Sequence, residues 1–550
     1  MIPSSFNKHS KPIIISLITI FLCLFAYRLT IETGSRGFLA IDQSTIFDGS
    51  YRVASGQIPF KDFVFAHGLI TFYLTAIFFK ILGVNYYSFI LSAAIVNVLA
   101  VLCSILLIKI LFKKTFLTPY VTGFITAIWF YPPNGTPWSD QTSFLFSMVG
   151  IYILIFGVLT KRFYLIFIAG IFAFISFLSK QSAGVFFLPI YFIIIAFYNE
   201  INRVKRIKLS FIFMLGFCFS VIFFISVCYK YADLKLLFDH FLLIPLEAGR
   251  VSEGWIKFIK SFMWAGQFTL LPRMVIIISL ITPCYIVYSY LRNMTKTNYL
   301  IKDVIASILA IYLAIFQYFF IYTTHNSPAN AFPFIGIIFG IGVMTTLRIL
   351  NESKFRPLIN NQIFNKTVVS IITIFFIYIN LQGISISMLR KVQGGFPDHP
   401  KHFKTFTENK LKHLKWISPT HLFDPEKGMT NWEIKKEDFE NLFLYLKKKD
   451  KNFFIFPDNT IFYGLLNKPS PQPILWFDKG LTYRNDYELN IDNWIVEKLI
   501  TNHIQTVVIE KHSFFGTYER LNDFPIMKKY IYQNFKKNKE IGIFDIYVKV

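Results

Sequence analysis

Continuous apolar runs dominate this 550-residue chain. Each run is roughly 17 to 25 residues long and nearly free of charge, which is the length a helix needs to cross about 30 Å of hydrocarbon. A membrane β-barrel would instead need alternating segments of about ten residues. Only 16% of the residues are charged, against about 25% in soluble domains. The sequence therefore predicts an α-helical multispanning membrane protein.

The positive charge of the chain indicates membrane topology. There are 56 Lys and Arg residues against 32 Asp and Glu, a formal net charge of +24. The basic residues lie between the apolar runs, as the positive-inside rule requires, and no basic and aromatic groove pattern accompanies them. Nucleic acid is therefore not an expected partner. The five cysteines lie inside apolar runs without CxxC spacing, so neither a disulfide framework nor a zinc site is predicted.

We expect a multi-pass protein of the plasma (inner) membrane. Charge counting predicts a cytoplasmic N-terminus, because Lys8 and Lys11 precede the first span. Residues 30–62 then form an outer loop. Two apolar runs follow where only an odd number of crossings fits, so we expect residues 63–82 to be juxtamembrane or re-entrant. About eleven spans result, near residues 12–29, 87–108, 116–131, 141–159, 163–179, 184–198, 209–229, 274–291, 303–322, 331–349 and 367–387.

Composition changes near residue 388, where charges of both signs become interspersed and apolar runs shorten to strand length. This change predicts a transmembrane catalytic domain over residues 1–387 and an extracytoplasmic soluble α/β domain over residues 388–550. Helices are expected near residues 439–448, 494–501 and 525–534, and strands near 453–456, 506–510 and 543–548.

Polar residues are concentrated in and just after the first outer loop, where Asp42, Asp48, Arg52, Asp62 and His67 follow a single span. Carboxylates, an arginine and a histidine at the membrane surface are suited to acid-base and phosphate chemistry. They are equally compatible with a solvated loop, because acidic residues near the end of a span cost little. Residue types alone leave both interpretations open.

The order of residues in this loop resembles the first extracytoplasmic loop of the GT-C superfamily of membrane glycosyltransferases. In that family an acidic residue precedes an A-x-x-x-G-like turn, a P-[YFH]-[RK]-D-F segment and a Gly-containing apolar stretch. The matching residues are Asp42, Ala54 with Gly56, the run Pro59-Phe60-Lys61-Asp62-Phe63, and His67-Gly68. The family also has short juxtamembrane helices here, which agrees with the assignment of residues 63–82.

The resemblance implies that a sugar moves from a polyprenyl-phosphate donor to a glycan, lipid or protein acceptor outside the cytoplasm, usually with inversion at the anomeric carbon. A carboxylate must take the proton from the acceptor, and positive groups must stabilise the departing phosphate. Asp42 is the first candidate for the base and Asp48 the second. Where the family has an Asp-Glu pair this chain has Asp42-Gln43, so a role that needs a second adjacent carboxylate is not supported.

Later outer segments supply further candidates. Asp140 could assist the acceptor or a divalent metal ion, or cap the next span. Lys180 lies at an outer boundary, where it could bind the donor phosphate or extend to the interface. Arg250 is the alternative contact for the donor phosphate, in a long outer segment whose counterpart in the resembling family helps to cover the donor. His325 could bind sugar hydroxyls or be solvated. The complete candidate binding set is Arg52, Asp62, His67, Asp140, Lys180, Arg250 and His325.

Other functional classes also fit a multispanning chain. An O-antigen polymerase or ligase uses a lipid-linked glycan but relies on arginines and a histidine in a central outer loop, so Asp42→Asn should leave such an enzyme active. A transporter would need charged or Gly/Pro-broken spans at the bilayer midplane, usually in paired halves, whereas the spans here are nearly free of buried charge and the sequence shows no internal repeat. A non-catalytic scaffold of glycan assembly stays an alternative, because the second acid is missing.

Overall fold

The computed structural model describes residues 10–36, 40–112, 117–198, 203–247, 270–292, 300–324, 332–350, 362–388, 404–416, 422–424, 428–430, 435–484, 491–513 and 516–550. The first part is helical: α1 Ser10–Gly34, α2 Ala40–Ala54, α3 Leu69–Leu82, α4 Tyr86–Leu111, α5 Thr118–Trp129, α6 Ser139–Thr160, α7 Phe163–Ser179, α8 Gln181–Phe197, α9 Arg203–Tyr231, α10 Leu234–Leu237, a π-helical turn Phe238–Leu243, α11 Ile244–Glu247, α12 Leu270–Arg292, α13 Ile301–Thr324, α14 Ile335–Leu350 and α15 Gln362–Met388.

Several helices are long and apolar enough to cross a membrane. Within the described residues there are five: Pro12–Gly34, Tyr86–Leu111, Ser139–Thr160, Arg203–Tyr231 and Pro272–Arg292. Shorter apolar helices of 10–17 residues accompany them, such as Phe163–Ser179 and Ile335–Leu350. The chain is therefore a multi-pass membrane protein, and the total of about eleven spans stays a prediction.

The segment around residues 63–82 contains a short helix. Helix α3 has 14 residues, which span about 21 Å at 1.5 Å per residue, less than the hydrocarbon thickness of about 30 Å. Its buried face includes Phe72, Ala76 and Phe79, whereas Tyr73 and Ile77 are exposed. A short helix with one buried face agrees with the juxtamembrane assignment, which stays a prediction.

The segment that sequence analysis treats as the first outer loop is largely helical. Helix α1 continues to Gly34, and α2 covers residues 40–54. The polar residues of α2 obscure its apolar face, on which Ile46, Phe47 and Val53 are buried. The helix ends just before Gly56, whose φ of 92° lies in the left-handed region that glycine adopts without strain. Helical geometry therefore positions Asp42, Asp48 and Arg52.

A four-stranded sheet forms the centre of the C-terminal region, with the strand order β5 (Phe453–Phe456), β6 (Thr506–Glu510), β8 (Phe544–Lys549) and β7 (Phe535–Ile541). Strands β5 and β6 are parallel, whereas β8 pairs antiparallel with both β6 and β7. The elements here are β1 Lys404–Thr405, β2 Lys415–Trp416, β3 Leu422–Asp424, β4 Gly428–Thr430, α16 Lys436–Lys449, β5 Phe453–Phe456, α17 Ile461–Leu466, α18 Ile491–Thr501, β6 Thr506–Glu510, α19 Thr517–Asn522, α20 Pro525–Asn534, β7 Phe535–Ile541 and β8 Phe544–Lys549.

The membrane-proximal helices and the sheet share one hydrophobic core. Phe47 and Phe89 from the helical part belong to the same buried cluster as Phe454 and Phe462 from the C-terminal part. Gly464 packs on Phe47, where an added Cβ would lie 2.8 Å from the ring. The predicted division at residues 387 and 388 stays a prediction, and the close packing places C-terminal residues next to the first loop.

Candidate functional site

Three helix ends bring charged side chains together. Asp42 lies in the first turn of α2 and Asp140 in the first turn of α6. Both carboxylates therefore lie where the positive end of a helix dipole favours an anion. Lys180 is the single residue between α7 and α8, and its extended backbone (φ −156°, ψ 119°) separates the two helices. We use the name recess for these three residues and the side chains around them.

Asp140 and Lys180 form a close ion pair. The Nζ atom of Lys180 lies 2.6 Å from Oδ1 of Asp140, with side-chain exposures of 15% and 1%. The indole Nε1 of Trp138 donates to Oδ2 of Asp140 at 2.9 Å. The ammonium also lies 5.7 Å from the ring centroid of Phe320, a cation–π distance. These contacts direct Lys180 into the protein. Asp140 does not cap the following helix, because the N-cap residue of α6 is Trp138.

Asp42 is half-buried, and its electrostatic environment is distinctive. Burial raises the pKa of this carboxyl to about 7, because a buried carboxylate loses hydration. Within this net shift Lys180 lowers the pKa, whereas Asp458, Asp478 and Asp140 raise it. Asp42 is therefore within electrostatic reach of both the ion pair and the C-terminal region.

His67 adjoins the ion pair from the loop before α3. Its Nδ1 atom lies 3.2 Å from the hydroxyl of Ser139. Burial and, to a smaller extent, Lys180 lower the pKa of His67 to about 3, against the opposing effect of Asp140. The imidazole is therefore neutral at physiological pH, so it can donate and accept hydrogen bonds without adding a charge.

The loop that carries His67 is fixed on both sides. The amide of Gln181 donates to the carbonyl of Ala66 at 2.7 Å and to that of Phe241 at 2.6 Å. Gly68 has a φ of 102°, which lets the chain turn directly into α3. The position of His67 is thus coupled to α8 and to the π-helical turn.

Asp48 and Arg52 form a second, fully buried ion pair. Nε of Arg52 lies 3.0 Å from Oδ2 of Asp48, and the side chains are 1% and 0% exposed. Ser470 donates to Asp48 at 3.0 Å, and Arg52 donates to the carbonyl of Gln472 at 2.5 Å. Burial raises the pKa of Asp48, which Arg52 and Ser470 counteract. In the structure this pair joins α2 to the C-terminal region.

The remaining candidates are dispersed. Asp62 accepts a hydrogen bond from the backbone N–H of Ile58 at 2.7 Å and lines a polar cleft with Lys498. Arg250 and His325 lie outside the described residues. The structure therefore brings together Asp42, His67, Asp140 and Lys180, and it does not bring Asp48, Arg52 or Asp62 into that group.

Sequence analysis missed the C-terminal contribution to the recess. Asp458 follows strand β5 closely, at the carboxyl end of a parallel pair, where open α/β sheets commonly bind ligands. That position was the signal in the sequence. Asp458 forms a bidentate ion pair with Arg520, at 2.6 and 3.3 Å. Trp476 had no such signal; its ring lies 6.3 Å from that of His67.

The described residues do not suit a divalent metal ion. No group of three or more His, Cys, Asp or Glu side chains is placed to bind one among the residues that the structure describes. The recess carboxylates of Asp140 and Asp458 already pair with Lys180 and Arg520.

The fold is that of the GT-C-like membrane proteins, with apolar spans joined to a small C-terminal sheet. ArnT from Cupriavidus metallidurans, a GT-C family aminoarabinose transferase, has this fold. Its structure bound to undecaprenyl phosphate matches with a TM-score of 0.53 at 10% identity, covering 97% of this chain and 98% of that chain. The apo structure gives 0.52 at 11% identity with the same coverage. No protein-family model and no curated protein sequence matches.

These similarities confirm the GT-C-like fold that the first loop predicted. At such low identity they concern the fold alone. The candidate site residues therefore depend on their own chemistry and geometry.

Proposed function

We propose that this protein is a membrane glycosyltransferase that moves a sugar from a polyprenyl-phosphate donor to a glycan, lipid or protein acceptor outside the cytoplasm. The observation that carries the proposal is the half-buried Asp42 within electrostatic reach of the Lys180–Asp140 pair. The fold supports it, because undecaprenyl phosphate is the lipid bound in one of the ArnT structures.

Asp42 is the proposed general base. It accepts the proton of the acceptor hydroxyl while that oxygen forms a bond to the anomeric carbon of the donor sugar. The bond from the anomeric carbon to the phosphate oxygen breaks, and its electron pair leaves with the phosphate. A pKa of about 7 suits this role, because a base is most effective when its pKa lies near the working pH. Asp48 is the second candidate, but its carboxylate is fully buried against Arg52.

Lys180 is the proposed contact for the donor phosphate. Its ammonium is held by Asp140 at 2.6 Å and can stabilise the negative charge that develops on the leaving phosphate. The neutral His67 adds a hydrogen-bonding group without added charge. Arg250 as a second phosphate contact and His325 as a ligand of sugar hydroxyls stay predictions.

We also propose that the N-terminus is cytoplasmic and that residues 388–550 lie on the outer side of the plasma membrane. The basic residues between the spans support this orientation. A cysteine-accessibility experiment on intact cells tests it. A reagent that cannot cross the membrane should label a cysteine at exposed Lys449 and spare one at exposed Lys161.

Sugar transfer in isolated membranes tests the function. Membranes containing the wild type or Asp42→Asn receive a panel of polyprenyl-phosphate sugars, and labelled product is quantified. Asp42→Asn should lower transfer by about 10²-fold or more. The matched control is Asp450→Asn, the same chemical change at a carboxylate that is 85% exposed, which should transfer normally.

Different results separate the alternatives. Transfer that survives Asp42→Asn would contradict the assignment of the base and favour an O-antigen polymerase or ligase-like enzyme. If the wild type transfers no sugar from any donor while the protein is folded, the glycosyltransferase proposal fails. A transporter or scaffold would then be the better hypothesis.

A further inference from the structure

Trp476 lies at the edge of the recess on a firmly held segment. The backbone of Val64 donates to the carbonyl of Pro473 at 2.8 Å and accepts from the N–H of Leu475 at 3.2 Å. The hydroxyl of Thr482 donates to the carbonyl of Trp476 itself. The backbone that carries the indole is therefore held from both sides of the segment, and no ligand is needed to place it.

The indole of Trp476 has little packing and no hydrogen bond among the residues that the structure describes. It is half-buried, yet it belongs to neither of the large hydrophobic clusters that the described residues form. Its buried Nε1–H has no hydrogen-bond partner among those residues. A tryptophan usually packs its rings and finds an acceptor for its N–H. Trp138 does both, because it packs on a core cluster and donates to Asp140.

The surroundings of Trp476 identify the chemistry of a ligand. On one side is the neutral imidazole of His67, at 6.3 Å between ring centroids, and beyond it the Lys180–Asp140 pair. The carboxylate of Asp458, which is fixed by Arg520, is also close enough to Asp42 to affect its electrostatics. Each oxygen of a carboxylate accepts more than one hydrogen bond, so Asp458 can accept from a hydroxyl while paired. An aromatic surface beside a neutral imidazole, in a region that also contains fixed carboxylate acceptors, suits a sugar ring, which has an apolar face and a hydroxylated rim.

We infer that Trp476 binds the sugar ring of the lipid-linked donor, with its indole as the stacking surface and its N–H as a donor to a ring substituent. The inference rests on the proposed function and names a specific part of the substrate. Trp476 is assigned to the donor sugar because it contacts His67, which adjoins the lysine proposed to bind the donor phosphate. A sugar linked to that phosphate would lie within reach of the indole.

Binding measurements on the purified full-length protein test this inference. The probes are polyprenyl phosphate without a sugar and the polyprenyl-phosphate sugar that the wild type transfers most efficiently. Trp476→Ala should weaken binding of the sugar-bearing probe by about 10- to 100-fold and leave binding of plain polyprenyl phosphate unchanged. Trp476→Phe keeps the ring and should lose only a few-fold. Lys180→Gln should weaken both probes.

The control is Trp494→Phe on α18, at a tryptophan that packs on the core. It should bind both probes as the wild type does. Equal affinity of wild type and Trp476→Ala for the sugar-bearing probe would overturn the inference. A raised KM for the acceptor with unchanged donor binding would also overturn it and move the indole to the acceptor. If folded wild type binds neither probe, the proposed function fails together with the inference.

Discussion

Replacing Asp42 by asparagine should stabilise the folded protein, and the gain should increase with pH. The folded carboxyl has a pKa of about 7, whereas an aspartate in an unfolded chain has a pKa of about 3.9. The folded state therefore binds the proton of the Asp42 carboxyl more tightly than the unfolded state does. Stability contributed by this proton is present at low pH and is lost as the pH rises from about 4 to about 7. Asparagine carries no such proton and avoids the loss.

The size of the effect follows from the two pKa values. Between about pH 5 and about pH 8 the folded carboxyl ionises while the unfolded one is already ionised. The loss over that interval corresponds to about two pH units, or roughly 2 to 3 kcal/mol at 1.36 kcal/mol per unit. This value is an upper estimate, because Asp42 is only half-buried and solvent screens part of the shift.

Thermal unfolding in lipid nanodiscs measures this effect without a known substrate. Midpoints for wild type and Asp42→Asn are recorded at about pH 5, 6.5 and 8, and the difference should widen in favour of the variant as the pH rises. Asp450→Asn is the control: its φ of 50° suits asparagine, and its surface ion pair contributes little. A midpoint difference that is the same at both pH extremes would refute the reasoning.

Two further predictions concern catalysis and folding. If ionised Asp42 is the base, kcat/KM for transfer should fall about tenfold for each pH unit below 7. In pH–rate profiles Lys180→Gln should move this acidic limb to higher pH and Asp478→Asn should move it to lower pH, because Lys180 lowers and Asp478 raises the pKa of Asp42. A limb that stays in place in both variants would contradict the assignment of Asp42 as the base. Asp48→Asn should cost roughly 3 to 5 kcal/mol of stability by leaving buried Arg52 unpaired, as a lowered thermal midpoint would report, whereas a variant as stable as the wild type would show that the pair is dispensable.

The fold could be predicted from the sequence because the lengths of apolar runs, whether those of spans or those of strands, are local properties of the chain. Strands β5 and β6 have the expected bounds, since both are short, fully apolar runs. Strand β7 was missed because it is an edge strand with lysines on its exposed positions, a pattern that protects edges and hides the strand. Helix α2 is not predicted because polar residues are interspersed among its buried apolar residues Ile46, Phe47 and Val53.

The site was only partly predictable because its residues meet through the tertiary fold. Spacing of four residues on a helix allows a pair between Asp48 and Arg52, but nothing in the sequence links them to Ser470. The Lys180–Asp140 pair joins two helix ends, and the sequence identifies each residue only separately, from its place at the outer boundary. The position of Trp476 depends on a β-bridge between Val64 and Ile474, which no local sequence pattern predicts.

The closeness of Asp42 to the proposed phosphate contact has a consequence for donor binding. A phosphate anion near Lys180 would raise the pKa of Asp42, because like charges disfavour ionisation. Coupling between two binding events is reciprocal, so ionisation of Asp42 must weaken donor binding equally. Donor affinity should therefore fall as the pH rises through about 7 in the wild type and stay level in Asp42→Asn.

Binding of polyprenyl phosphate to the purified protein measures this coupling directly. At about pH 8 Asp42→Asn should bind more tightly than the wild type, by roughly 5- to 150-fold if the coupling is of ordinary size. At about pH 5 the two proteins should bind alike, because Asp42 is then protonated. If wild type and Asp42→Asn bound polyprenyl phosphate equally at both pH values, the phosphate would lie beyond the electrostatic reach of Asp42. A base that far from the leaving phosphate could not act on an acceptor held beside the donor sugar.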